Sequence, residues 1–236
     1  MSLYLSRLVL SRAPSVEALK RLINPEECGR AQDAHHRLLW SAFAGDPDAP
    51  RDFLWRAETN GTFFVLSRRR PEESPFFQQP PEVKEFSPTL APGDRLDFVL
   101  RANATRTRRT TEVSASGKER RKHDDVVMHA LRDVPKGERA EARMAAAETA
   151  GRLWLEGQGS RGGFGVERAE AADYSVVALP SHRGIRRGQP QFGVLDLSGV
   201  ILIEDPALFL DRLVQGFGRA KSYGHGLMMI RRTPPP

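Results

Sequence analysis

The chain has 236 residues, with 36 basic and 30 acidic side chains and therefore a formal charge of +6. Hydrophobic residues make up 39% of it, a share that supplies a core and excludes a disordered chain. Its uninterrupted apolar runs, such as residues 63–66 and 200–203, are far shorter than the roughly 20 residues that a membrane-spanning helix needs.

The N-terminus and the cysteine content indicate a cytoplasmic protein. Residues 2–10 alternate apolar and polar side chains, as a half-buried strand does, and they lack the basic start and apolar centre of a signal peptide. The single cysteine, Cys28, excludes an internal disulfide, and the chain has no Cys-x-x-Cys pair for zinc. We therefore expect a protein that does not work at a membrane.

The first half of the chain predicts a strand, a helix and two further strands. The helix begins at the proline and the two acidic residues at 25–27 and runs to about Phe43, because acidic side chains favour the positive end of a helix dipole. Asn60-Gly61 predicts a hairpin between strands at 53–57 and 62–67. The proline-rich residues 69–92 predict one more short helix or edge strand and then a linker at Pro92-Gly93.

The second half repeats this order with additions. The predicted elements are a strand at 95–102, a helix at 138–156 closed by Gly157 and Gly159, strands at 164–166, 175–179, 192–197 and 200–203, a helix at 206–214 and a strand at 227–230. The repeat predicts an α+β protein with two tandem ferredoxin-like, or RRM-like, domains. We place the domains at residues 1–90 and 91–236, with the boundary at the Pro92-Gly93 linker.

Positive charge is concentrated in residues 101–122. This segment has eight basic and two acidic residues, so it carries +6, the formal charge of the whole chain. Such a patch is typical of polyanion binding, although a solvated loop with incidental arginines would look the same. A turn at 114–117 predicts a hairpin here. The basic residues of the segment are Arg101, Arg106, Arg108, Arg109, Lys118, Arg120, Arg121 and Lys122.

A glycine-rich loop, residues 216–226, follows the last predicted helix. Glycines allow positive φ and close approach of the backbone to a ligand, and Arg219 and Lys221 are placed to bind phosphate. The loop follows a helix and precedes a strand, so it is neither a Rossmann fingerprint nor a P-loop. A tight connection between helix and strand would explain the same residues. The glycines are Gly216, Gly218, Gly224 and Gly226.

The adjacent His35 and His36 differ in their position on the first predicted helix. At about 100° per residue, His35 falls within the apolar stripe that includes Leu38, whereas His36 points about 120° away from its centre. His35 is therefore predicted to be packed and hydrogen-bonded. His36 is predicted at the solvent edge beside Arg37, where an imidazole can act as an acid or base, although exposed surface histidines are common.

The histidines do not predict a metal site. None of the six has the His-Glu-x-x-His spacing of a helix-borne site, and the His123-Asp124 pair has no evident further ligands. We therefore expect no metal and no cofactor.

Four blocks carry a resemblance to a known family. Residues 36–43 (HRLLWSAF), 47–55 (PDAPRDFLW), 98–103 (FVLRAN) and the glycine-rich loop, in this order along nearly the whole chain, resemble the CasE endoribonucleases of type I-E CRISPR systems. The resemblance implies tandem ferredoxin-like domains of the repeat-associated (RAMP) kind. It also implies a metal-independent endoribonuclease that binds the stem-loop of each CRISPR repeat transcript, cuts at its base and stays with the mature crRNA as a subunit of Cascade.

The resemblance also assigns roles to residues. The catalytic histidine of the family corresponds to His36, and the candidate basic partner is Arg37 or a lysine or arginine of the RNA-binding segments. Members often have a tyrosine three residues before the histidine, where this chain has Asp33. The basic hairpin of the family corresponds to the region after Arg101, with residues 118–122 along the RNA stem.

Two other functions fit parts of the sequence. A non-catalytic RNA-binding subunit of an RNA-guided complex would need the same fold and basic patch. A DNA-binding regulator would need a recognition helix, and the basic segment is predicted to be a hairpin instead. The free protein is expected to be a monomer.

Overall fold

The structure is a computed structural model that describes residues 2–43, 51–113, 119–178 and 191–234, without the side chains of residues 59 and 109–121. The chain folds into two compact units. The first contains residues 2–43 and 51–89, together with 177, 178, 191 and 220–227. The second contains the described residues of 90–176 and 192–219, together with 228–234.

The first unit has a four-stranded antiparallel sheet with the strand order β2-β3-β1-β4. The predicted strands 2–10, 53–57 and 62–67 are confirmed, and the edge strand predicted within 69–92 is β4. The longest helix of the unit begins at Cys28, a little after the predicted start. Its elements are β1 (Tyr4–Val9), α1 (Pro14–Ala18), α2 (Lys20–Ile23), α3 (Cys28–Trp40), β2 (Phe53–Ala57), β3 (Thr62–Ser67) and β4 (Glu82–Glu85).

The core of this unit lies between α3 and the sheet. Leu39 of α3 is fully buried, as are Phe63 and Val65 of β3, and Phe43 stacks on Phe53 with ring centroids 4.8 Å apart. Burying these side chains contributes roughly 1.5–3 kcal/mol each. The apolar stripe of α3 therefore fixes which of its side chains face the sheet.

The second unit has a four-stranded sheet with the order β10-β5-β9-β8 and a separate two-stranded hairpin, β6-β7. Helices α5 and α6 complete the strand-helix-strand-strand-helix-strand order of a ferredoxin-like domain. Its elements are β5 (Arg95–Ala102), β6 (Thr105–Val113), β7 (Glu119–Asp125), α4 (Val126–Ala130), α5 (Arg139–Gly162), β8 (Phe164–Ala178), β9 (Gln191–Ile203), α6 (Pro206–Gln215) and β10 (Met228–Arg232).

The end predicted for α5 is wrong. The helix continues through Gly157 and Gly159 to Gly162, and it ends at Gly163, whose φ is +69°. A Cβ at Gly159 would lie 2.2 Å from the Phe164 carbonyl oxygen. The glycine therefore permits close packing of the helix on the chain that follows it, which outweighs a helix-propensity cost of about 1 kcal/mol.

Two pairs of predicted strands are each one continuous strand. Residues 164–166 and 175–178 belong to β8, while Leu179 lies outside the described residues. Residues 192–197 and 200–203 belong to β9, which passes through Gly199 at φ +156°. A Cβ at Gly199 would lie 1.9 Å from the Arg168 carbonyl oxygen, so the glycine allows close approach of β8 rather than ending a strand.

The predicted fold class is confirmed, because each unit has the strand order of a ferredoxin-like sheet. The division of the chain into independent domains at residues 1–90 and 91–236 stays a prediction. Among the described residues, no helix is long and apolar enough to cross a membrane.

Candidate functional site

His35 is a buried structural residue, as predicted. It is 8% exposed, its Nε2 lies 3.0 Å from Asn24 Oδ1, and its ring meets Phe63 edge-on with centroids 4.9 Å apart. Burial lowers its pKa to about 4. The imidazole is therefore neutral at neutral pH and serves the packing of α3 on β3.

His36 is half-buried rather than at the solvent edge, which corrects the predicted exposure. Its ring packs near Trp40 and Phe53, with centroids 6.4 and 6.3 Å away. Its Nε2 is shielded from solvent and has no hydrogen-bond partner among the described residues. Burial first, and then the charge of Arg51, lower the pKa of His36 below its ordinary value. A neutral imidazole with a free nitrogen can accept a proton.

Arg37 lies at the solvent side of the same helix. It donates a hydrogen bond of 2.8 Å to Asp33, one turn earlier, and its side chain is 75% exposed. Asp33 thus occupies the position of the family tyrosine and pairs with Arg37. Its charge raises the pKa of His36, opposing the effects of burial and Arg51. The catalytic role of Arg37 stays a prediction.

Arg51 is a candidate site residue that the sequence patterns did not single out. It precedes β2 within the PDAPRDFLW block, is half-buried and acts electrostatically on His36. Its Nη1 is shielded from solvent and has no hydrogen-bond partner in the described part of the chain. Its place in a block shared with the family was the only available signal in the sequence.

The C-terminal part of the glycine-rich loop lies against the helix that carries His36. Residues 221–223 form a 3-10 turn that contacts α3 and β2. Gly224, at φ +81°, lies against Trp55 of β2, since a Cβ there would be 2.8 Å from the indole ring. Lys221 is therefore brought to the same side of the first unit as α3.

The N-terminal part of the loop belongs to the second unit. Gly216 ends α6 with φ +74°, and Gly218, at φ +73°, lies against the Asn103 carbonyl, 2.5 Å from the place of a Cβ. Arg219 donates its backbone N–H to this carbonyl, over 3.1 Å, and its side chain is exposed. Gly226 has φ +89°, so all four predicted glycines adopt the positive φ that favours glycine.

The predicted basic hairpin is confirmed as β6 and β7. The strands pair in an antiparallel register with Arg108 opposite Lys122 and Arg109 opposite Arg121. Among the predicted cations, Arg106 lies 2.6 Å from His129 Nε2, while Arg108 bonds Asp124 at 3.1 Å. Lys122 is exposed. The side chains of Arg109, Arg120 and Arg121, and all of Lys118, lie outside the described residues.

A buried polar cluster holds the base of this hairpin. Asp125, the last residue of β7, caps α4 by accepting hydrogen bonds from the backbone of Val127 and Met128, both 2.9 Å long. Tyr174 of β8 donates a 3.0 Å hydrogen bond to the same carboxylate. Burial raises the pKa of Asp125 above its ordinary value, despite these hydrogen bonds.

Arg101 belongs to the sheet rather than to the hairpin. Arg101 of β5 lies opposite Asp196 of β9 and forms a bidentate ion pair with it. The distances are 2.9 Å from Nε to Oδ1 and 3.0 Å from Nη2 to Oδ2. Its predicted contact with RNA therefore competes with an internal partner. In the described part of the chain, no group of three His, Cys, Asp or Glu side chains could hold a metal ion.

The comparisons with known proteins agree with this architecture. A model of the family described as "CRISPR associated protein" matches residues 3–232. The CRISPR-associated endoribonuclease Cse3 of Thermus thermophilus is 26% identical over 97% of this chain and 99% of that protein.

Two solved structures have the same fold. Thermus thermophilus Cse3 bound to an RNA that represents a pre-cleavage complex gives a TM-score of 0.62 at 24% identity, covering 98% of this chain and all of that one. Cas6e from Escherichia coli K-12 gives a TM-score of 0.60 at 21% identity, with coverages of 98% and 100%. Because the family match spans almost the whole chain, the resemblance to CasE is confirmed, and this chain belongs to the CRISPR associated protein family.

Proposed function

We propose that this protein is a metal-independent endoribonuclease that binds the stem-loop of CRISPR repeat transcripts and cuts them to mature crRNA. The observation that carries the proposal is His36 Nε2, a nitrogen shielded from water that has no partner among the described residues. Buried polar groups are nearly always hydrogen-bonded, and exceptions mark strained or catalytic groups. The endoribonuclease name of its Thermus thermophilus relative supports the same reaction.

The chemistry needs no external nucleophile, because RNA carries its own in the 2′-hydroxyl. The lowered pKa of His36 keeps its imidazole neutral at neutral pH, so Nε2 can take the proton of the 2′-hydroxyl beside the scissile phosphate. The 2′-oxygen then bonds to phosphorus, the bond from phosphorus to the 5′-oxygen breaks, and that oxygen takes a proton from water. The products are a 2′,3′-cyclic phosphate and a 5′-hydroxyl.

Binding of the stem is assigned to the basic hairpin. A-form RNA presents a deep, narrow major groove that side chains do not read, so recognition depends on shape and phosphates. We assign this contact to the exposed Lys122 together with the arginines in the sequence of β6 and β7. Arg219 and Lys221 of the glycine-rich loop are proposed to contact the RNA as well.

The proposed setting follows from the family resemblance. We place the protein in the cytoplasm, as a monomer when free, and as a Cascade subunit that keeps its product crRNA bound. The expected partners are therefore repeat RNA and the other Cascade subunits, with no cofactor.

The test is a single-turnover cleavage assay with repeat RNA in EDTA. We expect His36→Ala to slow cleavage by about 10²-fold or more while leaving binding nearly intact. A substrate with a 2′-deoxy nucleotide at the cleavage site should not be cut, since its nucleophile is gone. Cleavage of deoxy substrate would indicate another nuclease mechanism. Tight binding without cleavage by the unmutated protein would favour the non-catalytic RNA-binding subunit.

A further inference from the structure

Arg51 has a positive charge that no carboxylate among the described residues neutralises, so it could bind an anion. The neighbouring carboxylate, Asp52, is held by Arg69 through two hydrogen bonds of 2.8 and 3.0 Å. The other carboxylate near His36, Asp33, is paired with Arg37. Arg51 thus has no ion pair with a carboxylate among the described residues, although its guanidinium is half-buried. Partial burial of a charge without a partner is unfavourable, and an arriving anion would offset that cost.

The backbone beside Arg51 is held by hydrogen bonds of Arg69. Arg69 bonds Asp52 and also donates to the Phe43 carbonyl, over 3.2 Å, so it ties the end of the α3 segment to the start of β2. Arg51 is the residue next to this clamp. Arg51, just before β2, and His36, on α3, therefore lie in one unit, and Arg51 Nη1 and His36 Nε2 are both shielded from solvent without a partner among the described residues. Donors and acceptors already in place before the substrate arrives are the preorganisation that a reactive site needs.

We propose that Arg51 is the phosphate-binding residue of this site, and that its guanidinium takes a non-bridging oxygen of the scissile phosphate while His36 Nε2 accepts the 2′-hydroxyl proton. Arginine suits this role because its fork of N–H donors matches phosphate oxygens. As charge builds on the phosphorane, the guanidinium is already in place to stabilise it. The inference rests on the proposed function for its substrate, since the anion is the phosphate of the RNA to be cut.

The first test uses inorganic phosphate and the NMR titration of His36. The charged groups that act on this imidazole are Arg51, Asp33 and Arg37, and the turn that carries Lys221 and Tyr223 contacts the same helix. Removing the charge in Arg51→Gln should raise the pKa of His36, because that charge now lowers it. Phosphate should shift the His36 signals in the unmutated protein and not in Arg51→Gln. An unchanged phosphate response in Arg51→Gln would overturn the proposal.

The second test is single-turnover cleavage. Arg51→Gln should slow cleavage by about 10²-fold or more, while the Kd for 2′-deoxy repeat RNA changes far less. Arg51→Lys keeps the charge without the forked donors of arginine, so its cleavage rate should lie between those of the unmutated protein and Arg51→Gln. The control is Arg30→Gln on the same helix α3, where the exposed Arg30 is paired with Glu27 at 2.9 Å, and its rate should match that of the unmutated protein.

The outcomes separate the two proposals. If the unmutated protein cuts no RNA, the proposed function fails, but the phosphate titration still decides whether Arg51 binds the anion. If it cuts RNA and Arg51→Gln cuts equally fast, the role of Arg51 is wrong while the proposed function stands. Loss of activity confined to Arg37→Gln would assign the phosphate to Arg37 instead. Thermal unfolding of each variant shows whether a loss reflects the site or the fold.

Discussion

His35 Nε2 lies 3.0 Å from Asn24 Oδ1, so the residue that caps the end of α2 orients the imidazole of α3, while burial keeps that imidazole neutral. The pKa of His35 is about 4, well below its unfolded value near 6.5. The folded state therefore binds fewer protons than the unfolded state between these two pH values. Stability from this group is present above pH 6.5 and is lost as the pH falls toward 4.

The first prediction follows from this shift. Between pH 7 and pH 5, protonation of the unfolded state at His35 should cost the folded protein about 2 kcal/mol. His35→Gln keeps a donor for Asn24 but has no group that titrates in this range. From pH 7 to pH 5, the free energy of unfolding of this variant should therefore fall by about 2 kcal/mol less than that of the unmutated protein. Urea unfolding at both pH values measures the difference. Equal losses in the two proteins would contradict the buried, neutral state of His35.

The second prediction concerns the basic hairpin. Changing its second arm to alanine at residues 118, 120, 121 and 122 should weaken binding of repeat RNA and flatten its salt dependence. Each phosphate neutralised on a duplex contributes up to about 0.9 to the slope of log K against log salt. The measurement is a Kd series over salt concentration with 2′-deoxy substrate.

A matched charge change elsewhere serves as the control for the hairpin. It removes four exposed cations outside the proposed RNA surface, namely Arg12, Arg21, Lys84 and Lys136. This variant has the same net charge, but it should keep most of the original salt slope. If both variants flatten the slope equally, net charge rather than the hairpin determines RNA affinity.

The third prediction concerns the packing of the glycine-rich loop. Gly224→Ala should destabilise the protein by more than the roughly 1–2 kcal/mol of a left-handed backbone, because its Cβ would also meet the Trp55 ring. Gly93→Ala is the control, since Gly93 has φ +91° with no atom within 4 Å of a Cβ. Thermal unfolding compares the two. A Gly224 variant no worse than the Gly93 variant would show that the contact with Trp55 is unimportant.

The fourth prediction concerns the base of the hairpin. Tyr174→Phe removes the 3.0 Å hydrogen bond to the half-buried Asp125 carboxylate and should lower the free energy of unfolding by about 1.5–3 kcal/mol. Hydrogen exchange at the Val127 and Met128 amides, which Asp125 caps, should become faster. Tyr4→Phe is the control, because the Tyr4 hydroxyl has no hydrogen bond within the described residues, and it should leave both measurements nearly unchanged.

Local sequence patterns determined most of the framework. Alternation of apolar and polar side chains predicted β1 and β5, and Asn60-Gly61 placed the β2-β3 connection correctly. The helical wheel separated His35 from His36, because neighbouring helical residues point about 100° apart and only one can share the buried stripe. These features depend on a few adjacent residues, so they can be read from the chain alone.

Tertiary packing decided what local patterns could not. Gly159 was predicted to close the helix, but α5 continues through it. A glycine is needed at this position because the Phe164 carbonyl packs closely against it. Arg51 Nη1 has no partner among the described residues because the neighbouring Asp52 pairs with Arg69, 17 residues away. Propensities differ by only about 1 kcal/mol per residue, and ion pairing follows distances in space. The sequence alone could therefore indicate the helix that we propose to be catalytic, whereas the electrostatic effect of Arg51 on His36 emerged only from the folded structure.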